Sequence, residues 1–413
     1  MTKGKKTCYM DHRRFLGPNH RYRTTDKAFF NGKVESRTAP DPLTGDVVNS
    51  LTENIHTVFG KDPKGKQTIR KRKCGDPPQN FKRRSIWFEL RYWKDLLQPH
   101  NIDAMHIEKN VCDNIMNTLL GIDGKTKYSI NSCQDLKLLG IRKDLHPVPV
   151  GKDTFDLLPA RYSMNPKVRK LFCRVLKGAR FPYGYVSDIR RNIDVKKKKI
   201  IGLKNHDCHI LSHQLFPLAV RKTLPEGVSA ALIRVSNFFK KIYSTVICIS
   251  DMEKLEEEIT ETQCILETTF LPSFFDMMVH LMVHLPLQVR LGGPVKYSSM
   301  FPTERFLCTL KGHVRSKSHP EGSIAEGYIF DECLNFCSCY LEGVETRFSR
   351  NGMNDAPEPE SSSMPFFKSN GHCVASQCTI TLDQKTWLQA HRYVLFNYDN
   401  IIPYLRYIKL FCY

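Results

Sequence analysis

The sequence predicts an α+β chain whose later half is mainly helical, and two changes of hydrophobic period carry that prediction. After Ser85 the apolar residues Ile86, Phe88, Leu90 and Tyr92 alternate, which is the period of a short strand. From Met105 to Leu120 the period lengthens. Met105, Val111, Ile115, Met116, Leu119 and Leu120 form one stripe of a helix, which Gly121 and Gly124 end.

The elements follow in chain order. Residues 1–60 mix Cys, His, Arg, Pro and Gly and do not make an independent core. Residues 61–84 are a basic linker holding Lys71, Arg72, Lys73, Lys82, Arg83 and Arg84. That stretch reads as a solvated connection, or as a phosphate-contacting arm or nuclear targeting patch. Residues 85–200 hold the expected strand and the helix. Their Pro- and Lys-containing part, 151–200, carries short helices and the run Lys196 to Lys199, which is a solvated face or a phosphate contact. Residues 201–342 are helical, with candidates over 206–222, 228–246, 251–269, 273–285 and 325–341. Asp251 is expected to cap the third, and Pro286, Gly292, Gly293 and Pro294 to break the pattern after the fourth. Residues 343–375 have linker composition, and 376–413 form a more ordered C-terminal segment.

Composition narrows the function. The chain has 413 residues, enough for two or three domains. Its net charge of +20 points to a polyanion, of which nucleic acid is the commonest, against a merely basic surface. The 15 cysteines are scattered with no secretory signal before them, so reduced thiols in cytosol or nucleus are expected. No apolar run reaches the roughly 18 residues of a membrane span. There is no P-loop, no GxSxG and no dinucleotide fingerprint.

Three constellations could carry chemistry, and two histidine groups stand beside them. Cys8, His12 and His20, in CYMDHRRFLGPNH, are zinc-type ligands, one short of a tetrahedral set. Asp103 and His106 stand three apart at the start of the best helix, either as a cap or as a site beside a metal-dependent carboxylate cluster. Glu304, within FPTERFL, is followed by Lys311, His313, Arg315, Lys317 and then Glu321 and Glu326. Acids set among bases suit a Mg²⁺ site that processes phosphodiesters, and suit equally a helix decorated with charged pairs. His206, His209 and His213, and separately His280 and His284, lie on shared helix faces. They are read as packed histidines rather than metal ligands, because no HExxH accompanies them and the neighbours of His280 and His284 are apolar.

The long stretch from ELRYWKDLLQPHNIDAMHIEKNVCDNIMNTLLGID to LKLLGIRKDLHP resembles the characteristic segment of plant CACTA (En/Spm) class transposases. The opening KKTCYMDHRRFLGPNHRYRTTDKAFFNGK is similar to the segment before it in that family. CILETTFLPSFFDMMVHLMVHLPLQVRLGGPVKYSSMFPTERFLCTLKGHVRSKSHPEGSIAEGY resembles the domain of unknown function that follows, and the tail HRYVLFNYDNIIPYL also fits. The resemblance implies a partial RNase H-like core with a DDE acid triad and two Mg²⁺ ions, working on transposon-end DNA in the nucleus, as a homo-oligomer or with a transposon-encoded partner protein. On this reading 1–60 is a partial zinc-like module, 85–200 the C-terminal part of a transposase-like domain and 201–342 a helical transposase-associated domain. The first two acids and a CPxC pair are expected upstream of the CYMDHRRFL segment, and so missing here, which leaves cleavage and Zn²⁺ binding incomplete. Asp103-x-x-His106 matches an active-site-adjacent signature. Glu304 is the expected third acid, with Glu321 and Glu326 as rivals. Arg72, Lys82, Arg83, Arg84, Lys311, Arg315 and Lys317 are the expected DNA contacts. The alternative is a non-catalytic, transposon-derived nuclear binding protein.

Overall fold

The computed structural model describes residues 7–55, 81, 83–151, 155–181, 188–341 and 381–396. The chain divides into two compact units, residues 1–305 and 306–413. The first unit is helical. Its principal elements are α1 (Gly45–Thr52), α2 (Ala104–Leu120), α3 (Ile130–Leu139), α4 (Pro166–Gly178), α5 (Asn205–Ile210), a π-helical turn (Leu211–Leu215), α6 (Phe216–Val220), α7 (Glu226–Ile242), α8 (Ile249–Thr269), α9 (Met277–Leu281) and α10 (Leu285–Gly292). Two antiparallel two-stranded sheets join them: β1 (Val148–Pro149) with β2 (Phe155–Asp156), and β3 (Ile193–Asp194) with β4 (Lys199–Ile200). Among the described residues no sheet has more than two strands. α11 (Phe301–Gly312), α12 (Pro320–Ser338) and α13 (Gln384–Phe396) follow, and the remaining described helices are short turns such as Arg21–Thr24 and Val295–Ser298. None is long and apolar enough to cross a membrane.

α2 is the spine of the first unit. Its apolar stripe, from Ile107 and Val111 to Leu119 and Leu120, is buried in one continuous core with Phe172 of α4, Phe216 of α6, Phe239 of α7 and Phe270 and Phe274 beyond α8. Burying such side chains contributes roughly 1.5–3 kcal/mol each. Gly121 closes the helix in the left-handed conformation at φ 62°, as its position in the sequence predicts. Polar ties bind the distant elements. Asn114 Nδ2 donates to the Phe274 carbonyl at 2.9 Å. Arg142 donates to the last carbonyls of α8, Thr268 at 3.0 Å and Thr269 at 3.1 Å, where a cation also meets the negative end of the helix dipole.

The structure redraws several expected elements. The stretch expected as a strand over 86–92 forms two 3₁₀ turns, Ile86–Glu89 and Trp93–Asp95. Alternation needs a partner edge to become a strand. Here Ser85 caps the first turn, Trp87 stacks on Trp93 at 5.4 Å, and of the alternating residues only Phe88 is buried. The helix expected over 206–222 is present but widened at Leu211–Leu215. Pro217 lacks the N–H that would bond the carbonyl of His213, and its ring crowds that carbonyl, so the turn opens. Asp251 sits in the first turn of α8 rather than at its cap, which is Cys248. The helix expected over 273–285 is divided, because Asp276 caps a fresh start at α9. Pro286 begins α10 instead of breaking it, since a proline in the first turn loses no bond. Of the lysine run, Lys196, Lys197 and Lys198 lie in the hairpin turn between β3 and β4, and Lys199 opens β4. The linker 343–375 lies outside the described residues.

Gly121 supplies a test of the spine. A methyl there would sit 2.7 Å from Arg169 Nη2, in a backbone conformation that L-residues avoid. We expect Gly121→Ala to lower unfolding free energy by about 1–2 kcal/mol in urea titration.

Candidate active site and buried histidine clusters

Asp103 takes both roles that its position allows. Its Oδ1 accepts from the backbone N–H of Met105 at 3.0 Å and of His106 at 3.2 Å, capping α2. Its Oδ2 lies 2.6 Å from His106 Nδ1. The other ring nitrogen, Nε2, faces Glu304 Oε1 at 3.9 Å. Two motifs remote in sequence thus share one imidazole. At that distance Glu304 and His106 do not share a hydrogen bond, and an exposed contact of this kind adds little stability. The side chains of His106 and Glu304 are 46% and 43% exposed, so the group is open to a ligand. Of the rival acids, Glu321 is exposed beside His319 and Glu326 is exposed on α12, both in the second unit.

Just beyond His106, Glu108 is only 3% exposed. Its Oε1 accepts from Ser212 Oγ at 2.7 Å, and its Oε2 lies 2.9 Å from His209 Nδ1. His213 Nε2 stands 2.8 Å from Oε1. Burial pushes the Glu108 carboxyl up, but the imidazoles of His209 and His213 outweigh burial and hold it down at about 2. Tyr243 packs against both rings, with centroids 4.8 and 5.9 Å away. Its phenol is driven well above the usual range by burial and by the nearby carboxylates of Glu108 and Asp103. Among the described residues, Glu108, His209 and His213 are the one set of three such groups whose ligand atoms all lie within 4.8 Å of one another. His206, read with them in the sequence, stacks on His209 at 6.4 Å but is not part of that set. Glu108 escaped the sequence reading, although a signal was there. It occupies the buried side of α2 among Ala104, Ile107 and Val111, and a carboxylate on an apolar stripe has to find partners.

The N-terminal trio is arranged otherwise. His12 is fully buried, with Nδ1 2.5 Å from Glu267 Oε1 of α8 and Nε2 3.1 Å from His280 Nδ1. His20 caps the turn Arg21–Thr24 by accepting from the Tyr22 N–H. Cys8 is partly buried. The described residues therefore do not bring Cys8, His12 and His20 to one point. Both ring nitrogens of His12 are already engaged by α8 and α9, which docks the segment instead of freeing a ligand.

The expected DNA contacts separate as well. Arg72 and Lys82 lie outside the described residues. Arg83 is exposed, as are Lys311, Arg315 and Lys317 of the second unit. Arg84 is turned inward: it donates to the Asn49 carbonyl at 3.2 Å and Thr52 Oγ1 at 3.3 Å, and lies over the Phe88 ring. A guanidinium so occupied holds α1 to the 3₁₀ turns rather than a phosphate.

Two family models match parts of the chain. Residues 1–55 match the family described as Transposase family tnp2, and residues 242–355 match the Domain of unknown function (DUF4218). These two matches support a transposase-family protein. No curated protein and no solved structure matches the chain. The matched regions meet in the first unit, where the segment bearing His12 packs on α8 through Glu267.

The same contact makes a pH prediction. His280 is held below the ordinary histidine value of 6.5, at about 4, by burial first and then by His12 and His284. Between those values the unfolded chain takes up a proton that the folded chain resists. Stability is therefore full above the unfolded value and falls as pH drops through that window. We expect urea midpoints measured across it to fall, and His280→Gln to flatten the fall.

Proposed function

We propose that this chain is a transposase-like protein of the plant CACTA (En/Spm) class that binds transposon-end DNA in the nucleus, with Glu304 as the third acid of the DDE set and Asp103 and His106 beside it. The observation that carries this reading is the meeting of Asp103, His106 and Glu304 at one imidazole. The expected signature and the expected acid come from separate parts of the resemblance, and nothing in their sequence spacing requires contact. The net charge of +20 and the exposed Lys311, Arg315 and Lys317 support the DNA partner. A second copy of the chain or a transposon-encoded protein is the further partner on this reading.

Strand cleavage is not assigned to these residues. A two-metal centre needs several carboxylates converging on its ions. Asp103 and Glu304 flank an imidazole, and no third ligand atom joins them within the described residues. The groups present do not fit a Mg²⁺ pair, so no step is routed through one. The second reading is a non-catalytic transposon-derived nuclear binding protein, for which the exposed Lys311, Arg315 and Lys317 are the support.

Fluorescence anisotropy of the full chain with terminal-repeat and scrambled duplexes tests the proposal. Affinity should fall steeply with salt. Replacing Lys311, Arg315 and Lys317 with Ala should flatten the log–log slope by roughly one for each phosphate that is no longer neutralised. Binding that ignores salt, or that the triple variant leaves unchanged, would overturn the DNA assignment. Mg²⁺-dependent nicking that disappears in Glu304→Gln would overturn the non-cleaving part.

A further inference from the structure

The cluster under Tyr243 is not used by the Asp103–His106–Glu304 site. We propose that Glu108, His209 and His213 form a binding site for one zinc-class divalent transition ion. The inference does not depend on the transposase reading.

Four observations carry it. First, the donor set suits the ion. Two imidazoles and one carboxylate are the ligands of borderline ions such as Zn²⁺ or Co²⁺, whereas Mg²⁺ and Ca²⁺ prefer an all-oxygen shell. Second, one ligand atom has no hydrogen-bond partner. The His213 side chain is only 10% exposed, and its Nε2 stands 2.8 Å from Glu108 Oε1. That approach does not have hydrogen-bond geometry, and no other atom satisfies the nitrogen. A buried polar atom in this state calls for a partner. Ligand atoms on one tetrahedral Zn²⁺ stand roughly 3.3 Å apart, so an ion entering between the two would part them by about half an ångström.

Third, the backbone is bent to make the set. His213 lies in the π-helical turn Leu211–Leu215, with His209 one turn before it. The rings lie 4.0 Å apart, centroid to centroid, and both approach Glu108. π turns are rare and recur at functional sites. Pro217 accounts for the opening of the turn, and the histidines use what it opens. Fourth, the surroundings are those of a supported site. Ser212 Oγ donates to Glu108 Oε1 at 2.7 Å and fixes the carboxylate. The buried Tyr243 hydroxyl, whose ring packs on both imidazoles, has no hydrogen-bond partner. The ion would clasp α2 to α5 and the turn that follows it.

The experiment uses the full chain, stripped with chelator and titrated with Zn²⁺ by calorimetry and with Co²⁺ by absorption spectroscopy. We expect one ion per chain, a raised melting temperature, and visible cobalt bands without a thiolate-to-cobalt charge-transfer band. The last condition excludes the cysteines as ligands. Glu108→Gln and His213→Ala should each lose that ion, whereas His280→Ala, in the other histidine cluster, should keep it. The wild-type cobalt form should also show two hyperfine-shifted imidazole N–H resonances, a readout that does not require any variant to fold. No uptake by the wild-type chain, a thiolate band, absence of the two resonances, or equal uptake by folded Glu108→Gln and His213→Ala would each overturn the proposal.

Discussion

A carboxylate removed from water must be met by a cation or by several donors, and this chain meets that demand twice with histidine. Glu108 on α2 is held by His209 and the neighbouring turn, and Glu267 on α8 is held by His12 from the N-terminal segment. In each case a long helix offers one buried acid, and a segment remote in sequence supplies the imidazole. Removing one partner of such a pair leaves a buried polar group unmatched, which costs several kcal/mol. The two clasps therefore do more than apolar packing can. Burial is indifferent to which leucine meets which, while a carboxylate accepts only a partner that arrives at the right place.

This explains the uneven legibility of the sequence. Helices α2, α7 and α8 were readable because their apolar stripes are local facts, repeated every three or four residues. The 3₁₀ turns Ile86–Glu89 and Trp93–Asp95 were not, because alternation becomes a strand only beside another edge, and among the described residues no strand pairs with this stretch. The π turn was hidden for a different reason. Pro217 announces a disturbance, but whether a helix kinks, ends or widens there depends on the packing of its neighbours. The site was half legible. Asp103, His106 and Glu304 carry motif signals, and the structure sets the two carboxylates on either side of the His106 ring. Glu108 and Glu267 carry no motif. Their partners lie about a hundred residues or more away, so only the conflict between a charge and an apolar face marked them.

The N-terminal segment illustrates the same logic at the scale of domains. Arg13 is nearly inaccessible, and its two terminal nitrogens donate within its own segment to the carbonyls of Tyr22 and Lys33 and to Asn31 Oδ1, while the guanidinium lies over the Phe30 ring. Arg23 does the same with the carbonyls of Leu16, Glu35 and Arg37. Two guanidiniums, each collecting carbonyls from a loop, shape a stretch that has little core of its own. Its apolar contact is with α8, where Leu16 and Tyr22 pack with Cys264. The region matched to the transposase family is thus folded against the region matched to the domain of unknown function. The contact His12–Glu267 belongs to both.

α2 bears the consequence. Its first turn presents Asp103 and His106 toward Glu304 at the surface, and the next residue pair inward along the helix includes Glu108, buried under Tyr243. Tyr243 feels both carboxylates, so the open group and the closed one share an electrostatic environment across a single helical turn. The open group can exchange partners at little cost, because its ion pairs are solvated. The closed group cannot, because Glu108 has no water to fall back on. A helix fixed rigidly at its fourth and fifth residues gives its first turn a defined position. That is what an exposed Asp–His pair needs if it is to meet an acid from a distant helix, in a chain where the contact itself contributes almost nothing to holding the two together.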